Sequence, residues 1–281
     1  RNQYKKTNLS PKFTSDNCHI YTQNELNFNN CYLQVKGKKT LFLLGDSHSN
    51  HYRETAFLLH KNFNIGVFSV TAGWCNFPLH SKQFSNLNCN KPLGINTQKK
   101  VAKYFLKNVA EGDIVIVSNR YPINNSEQAR NNKWLESKKS IKNINKLFES
   151  LIKKGAHLVL FLPSPEFDQK FLFFCKKEWF RPKNYDCDID KSTIIKRQSR
   201  GRELVQKFLD KRINVYDPVS HLCGEKCRVL DSKGNYLYAD HNHISDYSNE
   251  HYLYPSLILF LHHHLTSEQR DIVKMILLSH Y

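Results

Sequence analysis

Five short apolar runs punctuate this chain: Thr40 to Leu44 (TLFLL), Asn64 to Val70 (NIGVFSV), Asp113 to Ser118 (DIVIVS), His157 to Leu162 (HLVLFL) and a weaker one, Ile213 to Tyr216 (INVY). Continuous runs rich in Val, Ile, Leu and Phe are what strands buried on both faces require. Between them apolar residues recur at helical spacing, over about 48–61, 97–110, 133–154 and 192–211, with two further stretches near 248–265 and 267–279. Strand and helix in alternation predict an α/β fold: a three-layer α/β/α arrangement around a doubly wound parallel sheet. The alternation runs unbroken through the middle of the chain, so one domain is expected over residues 39–281. Residues 1–38 are polar and rich in Asn and Lys, and read as a lead-in segment.

Composition narrows the class. Of 281 residues 40% are hydrophobic, enough for a sizeable core, and 24% are charged, an ordinary share that argues against global disorder. No stretch reaches the roughly 18 apolar residues of a membrane span; Leu253 to Leu265 is broken by Pro255 and ends in His262, His263 and His264. Arg1 to Ser10 lacks the apolar core of a signal peptide. The chain begins with Arg, and a targeting segment or further domain is expected before it. The formal charge of +17 invites nucleic acid. The basic residues are spread along the chain, however, and the densest set, Lys133, Lys138, Lys139, Lys142, Lys146, Lys153 and Lys154, is threaded with Ile141, Ile144, Leu147, Leu151 and Ile152 as the solvated face of an amphipathic helix. No nucleic-acid signature accompanies them. No nucleic-acid partner is expected; an anionic glycan or a membrane face is the alternative neighbour.

The eight cysteines fall into sequence-local pairs: Cys18 and Cys31, Cys75 and Cys89, Cys175 and Cys187, Cys223 and Cys227. An even count in short-range pairs lying between the apolar runs reads as a disulfide framework made outside the cytosol, with neighbour pairing the simplest of the 105 connectivities. Zinc at Cys223-Gly-Glu-Lys-Cys227 and buried free thiols are the competing readings; zinc lacks a second close pair.

In a doubly wound sheet, ligands sit beyond the carboxyl ends of the strands. The first run leads directly into Gly45-Asp46-Ser47-His48-Ser49. Gly45 permits a sharp turn, and Ser47 would open a helix whose N–H groups favour an oxyanion. This is a seat for a nucleophilic Ser, or an N-cap after a turn. A base for it is offered by Tyr238-Ala-Asp240-His241-Asn242-His243. Asp240 and His243 are three apart, so Asp240 could hold Nδ1–H of His243 and leave Nε2 for the Ser proton. His241 is the rival base; His48 and His51 are expected to be turned elsewhere by their helix. Oxyanion donors should come from neighbouring strand ends: the N–H of Gly73 and the amide of Asn119, with the N–H of Ser47.

Taken together, Gly45-Asp46-Ser47, Gly73, Asn119 and Asp240-x-x-His243 resemble the blocks of the SGNH (GDSL-type) hydrolases. More narrowly, the chain resembles the extracytoplasmic SGNH domain fused behind the membrane acyltransferase-3 domain of bacterial sugar O-acyltransferases. That likeness is carried by Leu43-Leu-Gly-Asp-Ser-His48, Ala72-Gly-Trp-Cys-Asn-Phe-Pro78, Leu162-Pro-Ser-Pro-Glu166, Cys223-x-x-x-Cys227 and Tyr238-x-Asp240-x-x-His243-Ile-Ser245. It departs at Arg120, which stands where the usual third block has Asp. The resemblance implies a flavodoxin-like, disulfide-stapled domain that transfers an acyl group, acetyl above all, to a cell-surface polysaccharide. Ser47 would be the nucleophile, His243 the base and then acid, Asp240 its orienting partner, and Ser47, Gly73 and Asn119 the oxyanion donors. It implies no metal or cofactor, an extracytoplasmic location, and an acyl donor supplied by a membrane domain upstream of residue 1. A secreted carbohydrate or lipid esterase and a non-enzymatic module for anionic glycans are the alternatives.

Overall fold

The computed structural model describes residues 18–20, 28–72, 77, 92–124, 137–167, 175, 187–208, 210 and 212–262. Along the chain run β1 (His19–Ile20), a 3-10 turn (Phe28–Cys31), β2 (Tyr32–Leu33), β3 (Thr40–Gly45), α1 (Ser47–Asn50), α2 (Arg53–Phe63), β4 (Gly66–Ala72) and α3 (Pro92–Asn108). There follow β5 (Ile114–Ser118), α4 (Lys138–Lys153), β6 (His157–Phe161), β7 (Asp188–Asp190), α5 (Lys191–Gln206), β8 (Asn214–Tyr216), α6 (Val219–Leu222) and β9 (Lys226–Arg228). The last described stretch is α7 (Asp246–Ser248), a π turn (Asn249–Leu253) and α8 (Tyr254–Leu261).

All five expected strands form, as β3, β4, β5, β6 and β8. They pair in parallel in the spatial order β4-β3-β5-β6-β8, so the first sits between the second and the third. That order places a switch point at the carboxyl end of β3, where a ligand crevice opens. Alternation along each strand divides the core. Leu41, Leu43, Ile114, Ile116, Val159 and Phe161 face α2 and α8, whose Leu59, Phe63, Leu257 and Ile258 are buried there. Phe42, Leu44, Val115, Val117, Leu158 and Leu160 face α3 and α4 through Val101, Phe105, Ile144, Phe148 and Leu151. Burying both faces is what the continuous apolar runs demanded.

Two expectations change. The supposed lead-in is sheet and core where it is described: β1 pairs in parallel with the end of β4, β2 antiparallel with its middle, and Cys18 and Cys31 are buried among the residues under α3. The Cys18–Cys31 disulfide and the stacking of Phe28 on Tyr104, centroids 4.5 Å apart, fasten this segment. The helix expected over 48–61 breaks at Tyr52 (φ −90°, ψ 5°), whose buried ring meets Phe161 edge-on at 4.8 Å. Cys175–Cys187 and Cys223–Cys227 are also disulfides, so the close pair at 223 and 227 is bonded to itself rather than to zinc. Cys75, Cys89 and the helical stretch near 267–279 lie outside the described residues. Among the described residues no helix is long and apolar enough to cross a membrane.

Candidate active site

The turn after β3 is built on close approach. Gly45 has φ +152°, and a Cβ there would lie 1.7 Å from the carbonyl oxygen of Ser118 on β5. Only glycine lets the two strand ends come this near. Asp46 then caps α1: its backbone oxygen accepts from the N–H groups of Ser49 and Asn50, and its Oδ1 from that of His48 at 2.8 Å. Oδ2 reaches across to the N–H of Arg120, also at 2.8 Å. One buried carboxyl thus ties the end of β3 to the segment after β5. Burial pushes it up to about 6, against the two N–H groups that favour its charge. Ser47 is the first residue of α1, where a backbone N–H has no partner inside the helix.

The segment after β9 brings Asp240 and His243 to the same edge of the sheet. Oδ1 of Asp240 accepts the backbone N–H of His243 at 2.8 Å and that of Asn242 at 2.9 Å. Oδ2 accepts from Nδ1 of His243 at 2.6 Å. Burial alone would raise the Asp240 carboxyl; the bond and charge of His243 and the two N–H groups outweigh it and hold the carboxyl well below the usual range. With Nδ1 committed, Nε2 is the atom left to accept a proton. It is buried and makes no hydrogen bond among the described residues. The ring lies against α1, its centroid 5.1 Å from that of His48 and 5.9 Å from that of His51.

That last contact corrects the expectation for His48 and His51. Three apart on one helix, they share a face, and that face meets His243. Both are buried, at 2% and 8% exposure, and burial, reinforced by His243, lowers both well below the ordinary histidine value. Nδ1 of His51 accepts the N–H of Ile244, so the residue beyond His243 is attached to the helix that Ser47 opens. Nδ1 of His48 meets Oγ of Ser164 at 3.4 Å. The rival base, His241, is differently engaged: its Nε2 lies 3.1 Å from the amide of Asn242, and its carbonyl accepts the N–H of Phe167.

The neighbouring strand ends close the site. Asn119 is buried, and its amide clamps the backbone of Phe77, accepting the N–H and donating to the carbonyl, each at 2.8 Å. The Asn119 side chain also bonds the buried hydroxyl of Tyr121. Gly73 lies outside the described residues. After β6, Glu166 meets Arg120 in a two-pronged ion pair, Nη2 to Oε2 at 2.7 Å and Nε to Oε1 at 3.3 Å, with the side chains 5% and 14% exposed. The sequence offered Arg120 only as a departure from pattern and Glu166 only as part of a strand end. Their signal was position, one residue past Asn119 and at the mouth of β6. His19 of β1 also reaches this edge, its Nδ1 2.7 Å from the hydroxyl of Thr71; burial, then Arg53 and His243, lowers it to about 3.

The arrangement is suited to acyl transfer. A hydroxyl stands at a helix start, an oriented imidazole from the segment after β9 packs against that helix, and the end of β5 that carries Asn119 comes to the same edge of the sheet. A solved structure, the periplasmic domain of a Salmonella ser. Paratyphi A lipopolysaccharide acetyltransferase, shares the fold. The TM-score is 0.52 at 13% identity, over 86% of this chain and 94% of that one. No curated protein matches the chain. The family model described as "SGNH domain (fused to AT3 domains)" matches residues 15–252, well over half of the length, and the chain belongs to that family.

Proposed function

We propose that this domain is an O-acyltransferase that passes an acyl group, in the first instance acetyl, to a hydroxyl of a cell-surface polysaccharide through a Ser47 acyl-enzyme. The observation that carries the reading is the hydrogen bond of Asp240 to Nδ1 of His243, which leaves a buried Nε2, unpartnered among the described residues, against the helix opened by Ser47. In the first half-reaction Oγ of Ser47 attacks the acyl carbonyl carbon and its proton passes to Nε2. The carbonyl π electrons move to oxygen, and the oxyanion is met by the N–H of Ser47, the N–H of Gly73 and the amide of Asn119, turned from Tyr121 to the oxyanion. Collapse expels the donor's alkoxide or thiolate, which takes the proton from His243. In the second half-reaction a sugar hydroxyl gives its proton to Nε2 and attacks the acyl-Ser47 carbon; collapse frees Ser47, which recovers that proton. Asp240 stabilises the imidazolium formed in each half.

The acetyltransferase domain that shares the fold supports the choice of acceptor class. Three disulfides among the described residues support an oxidising, extracytoplasmic location. The family's fusion to AT3 domains supports a membrane domain as the source of acyl groups. The test is Ser47→Ala, read both on an activated acetyl ester and on acetylation of the cognate glycan in cells carrying the full-length protein. Loss of both is expected; full retention of both would overturn the reading. Loss of ester hydrolysis with normal glycan acetylation would assign the site to an esterase.

A further inference from the structure

The helices on the two faces of the sheet differ sharply in charge. On one side α3 contains four lysines and no acidic residue, and α4 five lysines and one acid, Glu149, a formal +8 for the pair. On the other side α2 holds Arg53, Glu54 and Lys61, and residues 246–261 hold Asp246 and Glu250, a formal −1. The helices of the basic side are adjacent: both cover the same buried strand residues, and Nζ of Lys154, just past α4, donates to the carbonyl of Leu106 on α3. Lys103, Lys107, Lys138, Lys142, Lys146 and Lys153 are exposed on this layer.

Lys103 and Lys107 are four apart, as are Lys138, Lys142 and Lys146, so like charges stack along each helix and repel. An opposite charge outside the molecule relieves that repulsion. α3 and α4 contain no Arg, which would grip sulfate or carboxylate bidentately; the arginines of this side, Arg197, Arg200 and Arg202, belong to α5, where Arg202 is already forked on Asp217. Among the described side chains of α3 and α4 the only tyrosine, Tyr104, is stacked on Phe28 and Phe68 and is not offered to a sugar ring. Two helices of flexible point charges, without forks or platforms of their own, suit a fluid array of headgroups better than a defined polysaccharide. Crossover helices also run opposite to their strands, so α3 and α4 begin at the edge where Ser47 lies.

We propose that the lysine layer of α3 and α4 docks the domain on an anionic lipid surface. The test is co-sedimentation of the purified chain with vesicles of phosphatidylcholine alone or mixed with phosphatidylglycerol. Binding to the mixed vesicles, weakening as salt rises, and none to the neutral ones is expected. Reversing Lys103, Lys107, Lys142 and Lys146 to Glu should lower the partition by about 100-fold or more, given about five-fold per lysine. Reversing Lys36, Lys38, Lys61 and Lys233 changes net charge equally and should cost far less. Equal losses in the two variants, no binding to the mixed vesicles, or binding to soluble polygalacturonate in place of vesicles would each overturn the proposal. If the Glu variant does not fold, the same four lysines changed to Gln relieve repulsion, should raise Tm slightly, and should still lose vesicle binding. Ser47→Ala protein should bind vesicles as the wild type does, which separates this proposal from the acyl-transfer reading.

Discussion

Asp240 holds His243 twice, by the backbone N–H at 2.8 Å and by the ring Nδ1 at 2.6 Å, so one carboxylate sets both the path of the loop and the tautomer of the imidazole. Asp240→Asn retains the shape and removes the charge. An amide at the Oδ2 position cannot accept from Nδ1–H, so the tautomer that frees Nε2 as a base is no longer enforced. The expected result is a fall in kcat for an activated acetyl ester of about 10³–10⁴-fold, with a small change in KM.

The same pair predicts a pH signature. The Asp240 carboxyl lies below its ordinary value in the folded state. A depressed carboxyl stabilises the fold above its unfolded value, about 4, and that contribution is lost as pH falls through the depressed range. The gap in Tm between wild type and Asp240→Asn should therefore be constant from neutral pH down to about 4 and close below it. Thermal melts across an acid series check this; a gap unchanged in strong acid would contradict it.

Asp46 titrates in the opposite sense. Its folded value is raised to about 6 by burial, so its contribution is complete below about 4 and is lost as pH rises through about 6. Urea denaturation of wild type and Asp46→Asn should show the difference moving against the wild type over that window. Asp46→Ala is a harsher change, because the N–H groups of His48 and Arg120 both lose their acceptor; it should cost about 2 kcal/mol or more.

What could be read beforehand, and what could not, follows the physics of each element. β3, β5 and β6 were legible because strands buried on both faces admit little but Val, Ile, Leu and Phe. Gly45, Asp46 and Ser47 were legible because the turn tolerates few residue types. β1 and β2 were not, because two-residue edge strands have no period to display; a disulfide and aromatic stacking hold them on β4. The contact of His48 and His51 with His243 was missed because it depends on how α1 is oriented by the carboxyl of Asp46. The link between Arg120 and Glu166, 46 residues apart, is created only when β5 and β6 pair.

Gly45→Ala tests the close approach at the switch point. The added methyl would meet a backbone carbonyl on the neighbouring strand, and that atom cannot swing away as a side chain can. The expected cost is about 4 kcal/mol or more, in the range reserved for buried overpacking. Low soluble yield with a Tm lowered by about 10 °C or more is the outcome to look for; a near-native melt would mean the strand ends are farther apart than described.

Arg120 and Glu166 give the last test. Both side chains are nearly buried, and their pairing joins the segments after β5 and β6 around the site. Removing Arg120 strands the Glu166 carboxylate in a poorly solvated place, so Arg120→Ala should cost about 3–5 kcal/mol; Glu166→Ala leaves Arg120 its other contacts and should cost less. Removing both leaves neither charge, and Arg120→Met with Glu166→Leu should lose much less than the sum. A double-mutant cycle by urea denaturation should return a coupling of about 1–3 kcal/mol. Activity separates the two contributions of Arg120. Its backbone N–H still reaches Asp46 in every variant, so the double variant should retain kcat better than either single one. A coupling near zero would mean that the pair is solvated and that the mouth of the site is held by the Asp46 bridge alone.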